Sequence, residues 1–597
     1  VLRVSGKSYA HFYDIEVDSN GGDTAFRVDS SKLEISGVNA NDENSVYLNP
    51  VKISGHNYGI RAKNSSTVNL RRVKVQDNYN NGISISEGTN LNIWFDRNNG
   101  TADDGVVISG NGLKDENGIL RNSNDFRAGL RIDSGSIADI DYVEIIGNGR
   151  GIELQDNSVI KGGWVAKDTN ALTYGIIIKD NKREGLKLRN NSTAHMDFVN
   201  VENNAVDEVT DDGHTWRDTA ISVRDSSVLD MDRSRIANNN DSVLRVSGKS
   251  YAHFYDIEVD SNGGHTAFSV DSSELEITGA DLDNDEDHIY STPIVISNHD
   301  TGIQVSNGSR LVVNRVEIRD NNHRGISLGG NSVMNVWRGG LTLSGNGLNN
   351  VGWSGFGPAL DIHRNSSASV DRLVVSGNGR GIFLGHNSNL SGGWKDENDT
   401  TLPTHMIEIK DNKKWAIEVK ANSNLDFSNF NISGNSIHFN QNNDGSKFYE
   451  ESVKIYDNSN ANLNKGLIEN NSGSAIKLRN NSNLDLHEVN FNNNGIGPET
   501  NGQYRSIKVS NSSQIYLNNS NLNHDGYGGA LSIWEMSSAH LRNTIISNSL
   551  GHGINVSQKS KISLISSSIT SNYEFIEEGQ TNGSNGIEAT SYSLIEI

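Results

Sequence analysis

No cysteine occurs in the 597 residues, which excludes disulfide staples, thiol nucleophiles and cysteine-ligated zinc. Exported bacterial proteins often share this trait. No apolar run approaches the roughly 20 residues that a bilayer-spanning helix needs, so membrane insertion is not expected. Helical periodicity is nearly missing as well. Hydrophobic residues make up only 34% of a chain too long for one ordinary core, and a thin, repetitive core is the architecture that needs so few. Positive charge is in deficit: 52 Lys and Arg against 74 Asp and Glu leave −22, spread along the chain. Such a surface repels nucleic acid and anionic membrane, and it favours divalent cations. The sequence opens at Val1 without a methionine or signal peptide and stops in the strand-like SYSLIEI. The expectation is a mature or partial chain separated from its targeting segments.

What the chain has in abundance is short alternation of apolar and polar residues, each run ended by Asn, Asp, Gly or Ser. Superposing GIRAKNSSTVNLRRVKVQDN from Gly59, GIQVSNGSRLVVNRVEIRDN from Gly302 and AIKLRNNSNLDLHEVNFNNN from Ala475 gives a unit, G-I-x-L-x-x-N-S-x-L-x-L-x-x-V-x-I-x-x-N, of about 22 residues. Twenty-one starts are found, from Val1 through Ala25, Gly59 and onward to Gly586, the last cut short. Three short strands per period predict an all-β solenoid, because no single unit can bury its own apolar face. In the coil from Ala475 the predicted inward set is Ile476, Leu478, Leu484, Leu486, Val489 and Phe491, and the outward set Lys477, Arg479, Asp485 and Asn490. Asn481 and its counterparts fall at a bend, where Asn tolerates left-handed geometry and where stacked amides would form an internal ladder. At about 4.8 Å per coil the whole would be a rod roughly 100 Å long.

The repeat resembles that of the right-handed parallel β-helix superfamily, which is pectate-lyase-like and also includes polygalacturonases, alginate-modifying enzymes, phage tailspikes and bacterial surface adhesins. The resemblance covers essentially the whole chain and implies a right-handed parallel β-helix solenoid of about 21 coils. It is poor for function, because these families share the coil stack and differ in the groove built on it.

A longer period overlies the short one. VLRVSGKSYAHFYDIEVDSNGG stands at Val1 and again at Val243, and the first 37 residues of the two blocks differ only at Asp23/His265, Arg27/Ser269, Lys32/Glu274 and Ser36/Thr278. GGW recurs at Gly162 and Gly392, and IKDNK at Ile178 and Ile409. The expected organisation is an eight-coil module at 1–242, a second at 243–474 and a partial third at 475–597, all one continuous solenoid. Modules added in tandem suit a stalk, fibre or adhesin. The expected function is therefore an extracellular or cell-surface structural protein, partnered by further modules or copies of itself, with ends that continue into a longer protein or stack end to end. The alternatives are a polysaccharide-active lyase or glycoside hydrolase and a non-catalytic polysaccharide-binding module; no nucleic-acid partner is expected.

Candidate chemistry is sparse. The paired Asp103 and Asp104 resemble the aspartates of polygalacturonase-like members, but they fall where the second block lacks eight residues. His323 and Arg324 occupy a bend whose first-block equivalents are Asn80 and Asn81. No catalytic constellation is called, and no enzyme is expected. Asp281, Asp283, Asp285 and Asp287 alternate as oxygen-only calcium loops do, without the glycine and distal glutamate of an EF-hand; the expectation is a solvated acidic loop and no cofactor, with calcium as the alternative. Alternation also turns Tyr9, His11 and Tyr13 outward, with their twins Tyr251, His253 and Tyr255. Such aromatic faces stack on sugar rings or pack against a neighbouring chain. Trp94, Trp164, Trp337 and Trp394 recur in register and are expected mostly to cover coil corners.

Overall fold

Alternation of β-branched and polar residues yields short strands, most of them three to six residues long, and the strands of the coils pair in parallel with their equivalents one coil away. The computed structural model describes all but residues 1, 19–21, 38–49, 94–104, 123–124, 164–173, 206–207, 210–214, 217, 261, 281–292, 350–354, 396–401, 442–446, 496–504, 524–528, 550, 571, 578–579 and 584–585. It divides into two units, Val1–His299 and Asp300–Ile597.

In unit 1 each coil contributes a strand to each of three parallel sheets. Tyr58–Lys63, Thr67–Arg71 and Val73–Gln76 form one such coil. Pairing is parallel and in register: Ile83 sits over Ile60, Asn90 over Thr67 and Val107 over Lys74. The sequence boundary at 242/243 is no structural break. Ile221–Arg224, Val228–Asp232 and Arg235–Ala237 pair with Leu244–Ser247, Tyr251–Tyr255 and Glu258–Asp260 like any other neighbours.

Unit 2 repeats the plan. In its later coils the second and third strands join through a single left-handed residue, as at Lys465 (φ 51°) inside Asn460–Glu469 and Glu488 (φ 55°) inside Asn483–Asn492. The 474/475 boundary is again continuous, with Val453 over Ile476 and Asn460 over Asn483. Ile476, Leu478, Leu484, Leu486, Val489 and Phe491 are all fully buried. Lys477 and Arg479 are half-exposed, and Asp485 and Asn490 are exposed.

The bend between the first and second strands takes two successive left-handed residues, for example Asn190 and Asn191 (φ 56° and 61°) or Asn480 and Asn481 (φ 59° and 58°). Asn and Asp tolerate this region because their short polar side chains bond locally. The next residue is a buried serine. Its Oγ accepts from the backbone N–H of the equivalent serine one coil earlier at 3.1–3.3 Å, as along Ser192, Ser227, Ser250 and Ser273 in unit 1 and Ser423, Ser459, Ser482 and Ser513 in unit 2.

An internal asparagine ladder exists, but not at the predicted residue. Asn481 is exposed at the bend, and the ladder runs through the asparagine that follows the third strand. In unit 1 Asn78, Asn111, Asn148, Asn181, Asn204, Asn239 and Asn262 each donate Nδ2 to the next Oδ1 at 2.8–3.2 Å. In unit 2 the run is Asn321, Asn346, Asn378, Asn412, Asn435, Asn471 and Asn494. Each amide also caps strand carbonyls, as Asn239 Nδ2 does to Val201 and Ala237. A buried amide so placed contributes about 1 kcal/mol net per bond, and its removal strands donors that water cannot reach. His56, buried, takes the ladder position before Asn78, to whose Oδ1 its backbone N–H donates.

The recurring GGW has a steric cause. A Cβ on Gly163 (φ +91°) would lie 1.7 Å from the Asp197 carbonyl oxygen, and one on Gly393 (φ +79°) 1.9 Å from that of Ser428. The backbones of adjacent coils touch there, and only glycine fits.

Candidate functional site

The second sheet of unit 1 carries the residues that the sequence singled out. Strand alternation buries Ala252 and Phe254 and turns Tyr251, His253 and Tyr255 outward, as expected. The three are half-exposed, whereas Tyr9 and Tyr13 in the first copy are 58% and 53% exposed. Register then brings together residues that sequence reasoning did not connect. His195, Asp230, His253 and Glu276 lie side by side in four successive coils, and Asp197, Asp232 and Tyr255 form the adjacent row.

Asp230 stands between two imidazoles: its Oδ1 is 2.8 Å from His253 Nδ1 and its Oδ2 3.4 Å from His195 Nδ1. Asp197 is held by Arg233, whose Nε donates to its Oδ1 at 3.0 Å. Asp232 Oδ1 is shut off from solvent and accepts no hydrogen bond. Burial, reinforced by Asp230, pushes the Asp232 carboxyl up to about 6; burial also raises Asp197, with Arg233 working against it. Tyr251 donates to Glu276 Oε2 at 3.2 Å, and burial together with that carboxylate raises its phenol well above the usual range. Tyr9 makes the corresponding bond to Glu34 at 3.2 Å. The signal for the cluster was present as DMD and AHF patterns at equal phase in consecutive repeats, but only the coil-to-coil register shows that they meet.

A second feature lies in unit 2. Arg338, Asp371, Trp394, Lys395, Leu402 and Met406 line a surface cavity of about 320 Å³. Trp394 is 59% exposed, and Lys395 Nζ donates to the Leu402 and Pro403 carbonyls at 3.3 and 3.1 Å. An exposed indole beside two cations and a carboxylate can stack on and bond to a polar ring. The expectation for the tryptophans gave no such role to Trp394. Trp337 is also exposed, at 46%; Trp94 and Trp164 lie outside the described residues.

The remaining candidate residues lie elsewhere. Arg324 sits at the start of a first-sheet strand with Nε 3.0 Å from Asp361, whose other oxygen faces His363 Nδ1 at 3.0 Å. The His323 backbone N–H donates to the Asp300 carbonyl oxygen at 2.7 Å. Asp103, Asp104, Asp281, Asp283, Asp285 and Asp287 lie outside the described residues. No helix among the described residues is long and apolar enough to cross a membrane.

Comparison with known proteins agrees on the fold. Residues 164–360 match a family model described as a right-handed beta helix region, and the chain is a right-handed parallel β-helix. A search of curated proteins finds no match. Among solved structures, the PL6-family alginate lyase AlyGC is 8% identical over 100% of this chain and 96% of its own, with a TM-score of 0.21. A double-mutant tailspike protein of E. coli bacteriophage HK620, in complex with a pentasaccharide, is 11% identical over 92% of this chain and 72% of its own, with a TM-score of 0.14. At those scores neither likeness adds to what the strands themselves show.

Proposed function

We propose that this right-handed β-helix is an extracellular structural protein, a repetitive segment of a surface fibre, stalk or adhesin that gains extent by adding modules. The observation that carries the reading is the seam at 242/243. There the serine ladder passes from Ser227 to Ser250 and the asparagine ladder from Asn239 to Asn262 without a change of partner or distance class. A module boundary that costs no interface lets the number of modules vary while stability per coil stays constant. The partners are further modules or copies of the same chain.

The test is a chain in which residues 243–474 are duplicated. Eight added coils should lengthen the particle by about 38 Å at 4.8 Å per coil, seen by electron microscopy, with an unchanged thermal midpoint. A duplicate that aggregates or fails to lengthen defeats the reading. Incubation of the intact chain with uronate polymers should give no new unsaturated or reducing ends, and turnover would transfer the case to the enzyme class.

One observation favours a second reading, polysaccharide binding without turnover: the Trp394 cavity with Arg338, Lys395 and Asp371 on its walls. A glycan array probed with the whole chain and with Trp394→Ala tests it, the expected result being binding that the substitution removes.

A further inference from the structure

The cluster on the second sheet of unit 1 has the composition of a ligand set. Asp230, Asp232 and His253 each offer one donor atom, and these atoms lie within 4.8 Å of one another. They are held by the strands Val228–Asp232 and Tyr251–Tyr255, whose backbones are paired residue by residue, so the spacing is set by the sheet and not by a loop. The flanking cation is already engaged: Arg233 turns to Asp197. Two carboxylates therefore face imidazoles, and one carboxylate oxygen, Asp232 Oδ1, is buried with no donor directed at it.

We propose that Asp230, Asp232 and His253 bind a divalent cation of the zinc or manganese class. The imidazole decides the class: calcium sites are built from oxygen ligands, whereas imidazole with carboxylate suits borderline metals. His253 enters through Nδ1, deprotonated, and its bond to Asp230 at 2.8 Å opens to the wider donor spacing around an ion held at about 2.0–2.2 Å. Asp232 closes in from the next row, and water completes the shell. His195, on the other oxygen of Asp230 at 3.4 Å, orients that carboxylate as outer partners of metal ligands do. The ion supplies a partner for Asp232 Oδ1, and it cross-links adjacent coils close to the 242/243 seam.

The chain carries its own control. His11 sits in the same 22-residue sequence, with Glu34 in register as Glu276 is for His253, and among the described residues its strand pairs with Lys32–Ser36, which carries no aspartate. Zinc alone, titrated into the metal-free 597-residue chain at pH 7.5 and followed by calorimetry and thermal midpoint, should fill a saturable site and raise the midpoint. Asp232→Asn, which preserves shape, and His253→Ala should each remove one equivalent and the midpoint shift, while His11→Ala should leave both intact. Circular dichroism of Asp232→Asn confirms that its loss is not unfolding. Zinc binding that survives both substitutions, an equivalent lost with His11→Ala, the absence of any saturable site, or displacement of the bound zinc by equimolar calcium would each overturn the proposal.

Discussion

At Tyr9–Tyr13 both tyrosines are more than half exposed, and His11 has Glu34 beside it in the following coil. At Tyr251–Tyr255 the same five residues lie between two coils. Phe254 is fully buried, and His253 meets Asp230 on one side with Glu276 in register on the other. Identical sequence thus acquires different chemistry, because in a stacked coil the neighbours above and below supply most of a residue's surroundings. A site in such a protein belongs to a pair of coils and cannot be read from one.

The largest test of that comparison concerns the core. Phe254, stacked on Phe268 at a centroid distance of 6.0 Å, should cost about 3–5 kcal/mol when changed to Ala. Phe12, half-buried against Phe26 at 5.5 Å, should cost clearly less; urea unfolding of the two variants gives the difference, and equal losses would break the comparison. Next comes the ladder. Asn239→Ala removes the acceptor for Asn204 and the donor to Asn262, and should cost about 1–3 kcal/mol, with faster amide exchange in the coils on both sides of 242/243.

The third effect is electrostatic and belongs to the coils around the second copy. Asp232 faces Asp230, Asp197, His253 and Arg233, with His195 on the same neighbouring strand as Asp197, and its folded pKa lies near 6, above the unfolded value. The folded state therefore holds the proton more tightly and loses stability as pH rises from the ordinary carboxylate range to about 6. Asp232→Asn should raise stability at pH 7.5, in the presence of a chelator, by something on the order of 1 kcal/mol after solvent screening. Below pH 4 the variant and parent should coincide, and a constant difference at all pH values would point to packing instead. The smallest effect is expected at the surface. Tyr9→Ala should leave the unfolding midpoint unchanged, whereas Tyr251→Ala, which frees Glu276, should lower it slightly.

Much of the fold was legible because its cause is local. Alternation fixed which of Ile476 to Phe491 point inward, and the left-handed bend at Asn481 follows from the residue type. The position of the internal ladder was not legible in the same way. Asn481 and Asn494 both recur with the period of the coil, and choosing between them requires knowing that a double left-handed bend turns its side chains out and hands the buried place to Ser482. The cluster at Asp230, Asp232 and His253 was half visible. Its histidine was chosen from the sequence, but its aspartates lie 23 and 21 residues earlier, and only register places them within reach. Trp394 was noticed and assigned to a corner, because nothing in GGW tells an indole that covers a bend from one that walls a cavity.

The seam at 242/243 also bears on how such a chain changes over generations. The strands entering the second copy meet partners of the same shape and spacing as any others in the stack, and the coding sequences of the two copies specify the same first 22 residues. Two genes misaligned by one module can recombine within that shared stretch and still encode a chain in which every strand finds its place. Array length is then free to drift between lineages, with selection acting on reach and on surface residues while the folding problem is never posed again.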